Sequence, residues 1–213
     1  MDSRSRRIWK VYADIFKRRW GIDEQTSEFI GMASKNLFAA EFKEHGHDAY
    51  RTSLVLPIRN SYYASQVTEK RWGYLKCMKL ESPIFDYGCG VGFLLLWLKD
   101  VGFTDLHGYE VPGVQRDVLS DVSPEHGIVI NAPLPLNYVH TSICLNVLEH
   151  LEKPLLTLDF LKSHSKQVIA NVCLDREEAS HVAPLDELKE CELLLRQWGT
   201  LYEDERQAQD CCA

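Results

Sequence analysis

From residue 83 onward, short apolar runs alternate along the chain with segments that have helical periodicity. The apolar runs lie at 84–87, 106–111, 127–131, 142–147 and 167–174, and the helical patterns lie near 92–101, 114–119, 153–164 and 184–198. Strands that are apolar on both faces and alternate with helices are typical of βαβ units. The sequence therefore predicts an α/β fold with a doubly wound, mostly parallel sheet.

The first 80 residues have helical patterns instead. One predicted helix ends at Gly21, a second runs over 26–46 and ends at Gly46, and a third begins at Asn60 or Ser61. We therefore predict an N-terminal helical extension over residues 1–80, followed by the α/β domain over 81–213.

Charge is distributed unevenly along the chain. The formal net charge of −7 argues against general nucleic-acid binding, yet residues 2–20 hold only Asp2 and Asp14 against seven basic residues: Arg4, Arg6, Arg7, Lys10, Lys17, Arg18 and Arg19. This basic arm could contact RNA or an anionic membrane surface. The interpretation that we favour is a solvated basic face on a helix that docks through its apolar side.

The sequence predicts neither a membrane-spanning segment nor a signal peptide. No apolar run approaches the roughly 20 residues that span a bilayer, and the N-terminus lacks the apolar core of a signal peptide. None of the seven cysteines is in a C-x-x-C pair. We therefore predict a cytoplasmic protein.

Three glycines at alternate positions follow the first predicted strand, in the segment "DYGCGVG" from Asp86 to Gly92. A phosphate-binding P-loop would need Lys and Ser or Thr after Gly92, but Phe93 and Leu94 stand there. The dinucleotide pattern G-x-G-x-x-G fails because residue 93 is not glycine, which makes a dehydrogenase a remote alternative. What remains is an acidic residue two places before the first glycine, at the turn where doubly wound sheets bind ligands.

This segment resembles the first motif, D/E-x-G-x-G-x-G, of the class I S-adenosylmethionine-dependent methyltransferases. Glu110 at the end of the second predicted strand and the later stretch "SICLNVLEHLEKPLLTL" match two further features of that family, and the resemblance covers residues 83–204. It implies S-adenosyl-L-methionine as cofactor and S-adenosyl-L-homocysteine as product. It further implies methyl transfer to an oxygen or nitrogen of a small-molecule acceptor.

The resemblance also implies which residues bind the cofactor. Asp86 is expected near the ammonium group, Glu110 at the ribose hydroxyls, and Asn131 at the adenine amino group. The full predicted set is Asp86, Tyr87, Gly88, Cys89, Gly90, Gly92, Glu110, Val111, Asn131, Ala132 and Asn146.

His150 and its neighbour Glu149 are the predicted catalytic residues, because a histidine there can take a proton from the acceptor. His181 is a second candidate, and the alternative is that Glu149 and His150 only begin the following helix. The small-RNA 2′-O-methyltransferases hold a divalent metal with E-x-x-E-H and a distant histidine. Here Asn146 replaces the first glutamate, which removes an anionic ligand, and we predict no metal.

The family resemblance also sets expectations for the two ends of the chain. Residues 1–80 are expected to form a lid, an acceptor pocket or a homodimer contact, with Tyr62, Tyr63 and Trp72 either covering the site or packing in the core. The family's sheet ends with two further strands, but this chain has one candidate at 200–205, so we expect a shortened C-terminal edge. Two alternative functions stay open: an RNA methyltransferase that uses the basic arm, and a non-catalytic cofactor-binding or scaffold protein.

Overall fold

A computed structural model describes residues 1–130, 138–174 and 181–198, without the side chains of His47, Arg71 and Tyr74. Four helices come first: α1 (Ser3–Trp20), α2 (Glu24–His45), α3 (Ala49–Thr52) and α4 (Val55–Leu75). The α/β part follows with β1 (Ile84–Tyr87), α5 (Phe93–Asp100), β2 (Leu106–Tyr109), α6 (Val114–His126), β3 (Ile128–Ile130), β4 (Val139–Cys144), α7 (Pro154–His164), β5 (Ser165–Ala170) and α8 (Leu185–Trp198).

The five described strands form one parallel sheet in the order β3-β2-β1-β4-β5. The predicted α/β fold with a doubly wound sheet and N-terminal helices is therefore confirmed. The strand order reverses between β1 and β4, which are neighbours in the sheet. Ligands in such sheets bind beyond the carboxyl ends of the strands at this reversal.

The sheet has a hydrophobic core on each face. Consecutive strand residues point to opposite faces, and Ile84 accordingly packs in the first core and Phe85 in the second. The first core joins the sheet to α1, α4, α5 and α6, and the second joins it to α7 and α8. The N-terminal helices thus share a core with the sheet, while the division of the chain at residue 80 stays a prediction.

Helix α1 forms where the sequence predicts it. The Asp2 carboxylate accepts the N–H groups of Arg4 and Ser5, and Gly21 ends the helix in the left-handed conformation at φ 71°. Its apolar side is buried in the first core, as the helical periodicity indicates.

Helix α4 begins at Val55, and the prediction that it begins at Asn60 or Ser61 was wrong. The Ser53 hydroxyl accepts the N–H groups of Val55 and Leu56, each at 3.1 Å, and so caps the helix earlier. Pro57 lies in the first turn, where its missing N–H breaks no helical hydrogen bond. As a result, Asn60 lies within the helix rather than at its start.

Several strands and one helix differ in length from their predictions. Strand β2 ends at Tyr109 rather than at residue 111. The N–H groups of Gly88 and Cys89 both donate to the Tyr109 carbonyl, at 2.8 and 3.0 Å, and so end the regular pairing. Strand β4 covers Val139–Cys144 rather than 142–147, and Asn146 turns the chain away at φ 57°. Strand β5 ends at Ala170 rather than 174, and α6 extends to His126.

The predicted strand at 200–205, and with it the expected shortened edge, lies outside the described residues, as do Asn131 and Ala132. Within the described ranges, none of the helices has the length and apolar character to cross a membrane.

Candidate functional site

The glycine segment forms a tight turn in the left-handed region of backbone space. Gly88, Gly90 and Gly92 have φ angles of 71°, 57° and 83°, which favour glycine. A Cβ atom on Gly88 would lie 2.5 Å from Val147 Cγ2, and one on Gly92 would lie 2.5 Å from Leu119 Cδ1. Glycine is therefore required at both positions by the backbone and by packing.

Gly90 differs from the other two because its neighbours are polar. A Cβ atom there would lie 3.2 Å from Gln115 Oε1 and 3.7 Å from Asn60 Nδ2. Asn60 donates its side-chain N–H to Gln115 Oε1 at 2.5 Å. The Asn60–Gln115 hydrogen bond therefore lies over Gly90, and it connects α4 to α6.

A pocket of about 160 Å³ opens between the glycine turn, the end of β4 and helix α4. It brings together five of the predicted cofactor residues: Asp86, Gly88, Cys89, Gly90 and Asn146. Helix α4 adds Asn60, Tyr63, Ala64 and Thr68, which complete one wall. The pocket thus lies where the strand order reverses, as the topology requires of a ligand site.

Four other predicted cofactor residues do not line this pocket. Tyr87 packs against Tyr109 with ring centroids 5.3 Å apart, and Val111 is 42% exposed. Gly92 is buried, and Glu110 lies close to the turn.

Glu110 follows β2 and reaches back to the glycine turn. Its side chain is 7% exposed, and Oε2 accepts the Gly90 N–H at 2.7 Å. Burial raises the pKa of the Glu110 carboxyl to about 7, although the N–H groups of Gly90 and Val111 and the charge of Arg116 act in the opposite direction. An acidic group with this pKa is partly charged at neutral pH.

The raised pKa of Glu110 predicts a specific pH dependence of stability. The unfolded chain loses this proton near pH 4.5, whereas the folded protein holds it to about pH 7, so the free energy of unfolding falls as pH rises between these values. This difference in pKa corresponds to about 3 kcal/mol in the free energy of unfolding. Glu110→Gln has no such proton, so we expect its stability relative to wild type to increase from pH 5 to pH 8. Urea denaturation at both pH values measures this.

Glu125→Gln on the exposed side of α6 is the matched control, and its stability should follow that of the wild type. Parallel pH profiles for wild type and Glu110→Gln would contradict the assignment of this titration to Glu110.

The ends of β4 and β5 are joined by a pair of asparagines. Asn171 Oδ1 accepts the backbone N–H of Asn146 at 2.6 Å, and Asn171 Nδ2 donates to Asn146 Oδ1 at 2.7 Å. This reciprocal pair fixes Asn146 at the border of the pocket. The role of Asn171 could not be predicted from the sequence, because it depends on the register between β4 and β5.

His150 lies in a group of aromatic and histidine side chains. Its Nδ1 is 2.9 Å from the hydroxyl of Tyr50 in α3, and its ring centroid is 4.9 Å from that of His181. The two predicted histidines are therefore in contact. Nothing in the local sequence predicts this role of Tyr50, because its contact is with a residue 100 positions later in the chain.

Glu149 is much more deeply buried than its neighbour, at 2% exposed. It is close to two other side chains that can bind metal: one ligand atom from each of Glu149, Cys173 and His181 lies within 4.8 Å of the others. The carboxylate thus lies in a cluster with two other metal-ligating side-chain types.

Of the three aromatic residues considered in the N-terminal helices, only Tyr63 lines the pocket. Tyr62 packs against Trp9 at 5.5 Å between centroids, and Trp72 packs against Phe103 at 6.1 Å. Core packing therefore accounts for Tyr62 and Trp72.

No protein-family model and no curated protein matches this chain. Among solved structures, the chain is similar to magnesium protoporphyrin IX methyltransferase (ChlM) from Synechocystis PCC 6803 with bound SAH. The identity is 19% and the TM-score 0.45, with 82% of this chain and 84% of that chain covered.

Two further solved structures cover less of their own length. The CcbJ methyltransferase from Streptomyces caelestis matches at 17% identity and TM-score 0.41, with 48% of each chain covered. The [4+2]-cyclase SpnF matches at 18% identity and TM-score 0.44, with 61% of this chain and 57% of that chain covered. The match thus spans about half of the CcbJ chain, and the similarity concerns the fold alone. By its own strand order, the chain has a Rossmann-like fold with a parallel sheet flanked by helices.

Proposed function

We propose that this protein is an S-adenosylmethionine-dependent methyltransferase that acts on an oxygen or nitrogen of a small-molecule acceptor. The observation that carries the proposal is the acidic glycine turn from Asp86 to Gly92, which opens into a pocket at the strand-order reversal. In doubly wound sheets this is the place where nucleotide-containing ligands bind.

The residues at the turn fit the chemistry of this cofactor. Asp86 is 5% exposed and lines the pocket, so its carboxylate suits the ammonium group of the methionine part. Glu110 can accept hydrogen bonds from two neighbouring ribose hydroxyls. Glycine at positions 88, 90 and 92 leaves three residues of the turn between these two carboxylates without side chains. When bound, the sulfonium supplies an activated methyl group.

For a ribose to reach Glu110, the cover over Gly90 has to move. The Asn60–Gln115 hydrogen bond lies in the way, and the backbone of Arg51 lies so close to Gly113 that a Cβ there would be 2.7 Å from Arg51 Cα. Helices α3 and α4 would therefore shift on binding and close over the ligand afterwards. Such closure excludes water and positions the reactants.

His150 is proposed to accept the acceptor's proton. This role requires that Nδ1–H donates to the Tyr50 oxygen, so that Nε2 is the ring nitrogen with the lone pair. Tyr50 is then a positioning residue that fixes the ring and its tautomer.

Tyr50→Phe removes the partner of Nδ1 and should reduce kcat by about tenfold, since proton transfer then depends on a misplaced ring. The KM for S-adenosylmethionine should stay unchanged, because Tyr50 does not line the pocket. Steady-state kinetics with an accepted substrate measures both. Tyr138→Phe, in an exposed tyrosine directly before β4, is the control. An unchanged kcat in Tyr50→Phe would contradict the positioning role.

The basic arm favours a small acceptor over RNA. Arg4 and Arg7 pair with Asp100 at 2.5 and 2.6 Å, Arg6 pairs with Glu28 at 2.5 Å, and Arg19 pairs with Asp121. Four of the seven basic residues are thus engaged in attaching α1 to the rest of the chain. A steep salt dependence of RNA binding would overturn this preference.

The proposal is tested by calorimetric titration of the purified protein with S-adenosylmethionine and, separately, with NADH. We expect micromolar binding of the first and none of the second. Binding of NADH, or of neither compound, would contradict the proposed cofactor. Cofactor binding without turnover on any acceptor would favour the non-catalytic alternative.

A further inference from the structure

We propose that Glu149, Cys173 and His181 form a binding site for a zinc-type divalent metal ion. The inference does not depend on the proposed function, and it departs from the expectation of no metal, which considered Asn146, Glu149, His150 and His181 but not Cys173. One ligand atom from each of these residues lies within 4.8 Å of the others, and Cys173 is a free thiol.

Three separate segments bring these ligands together. Glu149 lies in the turn after β4, Cys173 follows β5, and His181 precedes α8. The Asn146–Asn171 pair joins the first two segments three residues before Glu149 and two before Cys173. The N–H groups of Val182 and Ala183 donate to the Glu149 carbonyl at 3.0 and 3.1 Å, which attaches the third segment. Backbone and side-chain hydrogen bonds therefore hold the three segments that carry these ligands next to one another.

The types of ligand select the metal. Magnesium requires oxygen ligands in octahedral geometry, whereas a carboxylate, a thiolate and an imidazole are ligands that zinc accepts. Zinc with bonds of about 2.0–2.3 Å keeps its tetrahedral ligands about 3.3–3.8 Å apart, so small side-chain rotations complete the site. Binding converts the Cys173 thiol to the thiolate, and its proton passes to solvent.

Two features support a built site rather than a chance cluster. The Glu149 side chain is 2% exposed, so its carboxylate is held in a region of low dielectric where attraction to a cation is strong. His150 packs edge-on against His181 at 4.9 Å and is itself held by Tyr50 at 2.9 Å, which limits the motion of the His181 ring. Three protein ligands leave a fourth position, as in zinc sites that bind a water or a substrate atom.

Cobalt(II) is the probe for the test, because a thiolate ligand gives it a charge-transfer absorption and tetrahedral coordination gives it intense visible bands. The full-length protein, stripped of metal with a chelator, is titrated with Co²⁺ and then with Zn²⁺. We expect one equivalent of cobalt to bind with both signatures and zinc to displace it. Absence of the thiolate absorption in the wild type would overturn the proposal.

Variants assign the ligands. Cys173→Ser should lose the charge-transfer absorption, and His181→Gln should weaken cobalt binding at least tenfold. His181→Gln also keeps the test decisive should Cys173→Ser fail to fold, as judged by circular dichroism. Unchanged absorption and affinity in both variants would place the metal elsewhere and refute the site.

The chain offers matched controls for each ligand type. Cys191→Ala removes a buried cysteine of α8, and His164→Ala removes a histidine just before the amino end of β5, at the opposite edge of the sheet. Both variants should bind cobalt as the wild type does. A Cys211→Ser/Cys212→Ser variant should also keep the absorption, and its loss there would assign the metal to those adjacent thiols instead.

Discussion

We expect Gly90→Val to lose at least about 100-fold in affinity for S-adenosylmethionine, because two effects act at this position. A branched residue is strained at φ 57°, and its side chain points at Gln115 Oε1 and Asn60 Nδ2, 3.2 and 3.7 Å from the Cβ. The substitution also disturbs the Gly90 N–H that holds Glu110 at 2.7 Å. Calorimetric titration measures the affinity, and urea denaturation the stability.

Gly127→Val is a closely matched control. Gly127 has φ 62°, so the backbone strain is similar, but it follows α6 directly before β3, at the amino edge of the sheet. We expect it to lose stability as Gly90→Val does and to keep its cofactor affinity. Wild-type affinity in Gly90→Val would refute the assignment of the glycine turn to cofactor binding.

Trp9→Ala should lower the free energy of unfolding by about 3–5 kcal/mol, as is usual for a large buried aromatic residue. Trp9 is 0% exposed and lies in the first core, where its ring meets Tyr62 and Phe16 at centroid distances of 5.5 and 6.3 Å. The cavity would lie between α1 and α4. Urea denaturation measures the loss.

Trp9→Phe keeps an aromatic ring at this place, so its free energy of unfolding should fall clearly less than that of Trp9→Ala. It also removes the indole Nε1, which is buried and has no hydrogen-bond partner among the described residues. A loss below about 1 kcal/mol in Trp9→Ala would mean that α1 is only loosely attached, contrary to the shared core.

The position of α1 also bears on the site. The Tyr12 hydroxyl donates to the carbonyl of Val91 at 2.8 Å, and the Tyr12 ring stacks on Phe93 at 5.7 Å. Both partners belong to the glycine turn or to the helix after it. Helix α1 therefore packs against the glycine turn through Tyr12, and helix α4 covers the turn.

Features of the site that depend on local sequence could be predicted. The alternation of strands and helices fixes the sheet type, and a turn with glycine at Gly88, Gly90 and Gly92 follows from spacing and from backbone conformations that other residues avoid. The contact between Glu110 and the turn likewise follows from adjacent parallel strands, whose carboxyl ends meet at one edge.

The features that were missed come from contacts between distant parts of the chain. Asn60, Gln115 and Tyr50 belong to the site only because α3 and α4 pack over the ends of the strands. The contact of Asn60 could not be predicted from a helix that begins at Asn60 or Ser61. Ser53 caps α4 instead, so that Asn60 lies within the helix. Cys173 joined the cluster because β5 ends at Ala170, whereas an apolar run to residue 174 predicts a longer strand.

The most direct test of the central claim is a crystal structure of the protein with S-adenosylhomocysteine. We expect the ribose hydroxyls at the Glu110 carboxylate, the amino-acid part beside Asp86, and the Asn60–Gln115 hydrogen bond open or rearranged around the ligand. A nucleoside bound away from the glycine turn, or a turn that stays covered at saturating ligand, would contradict the account.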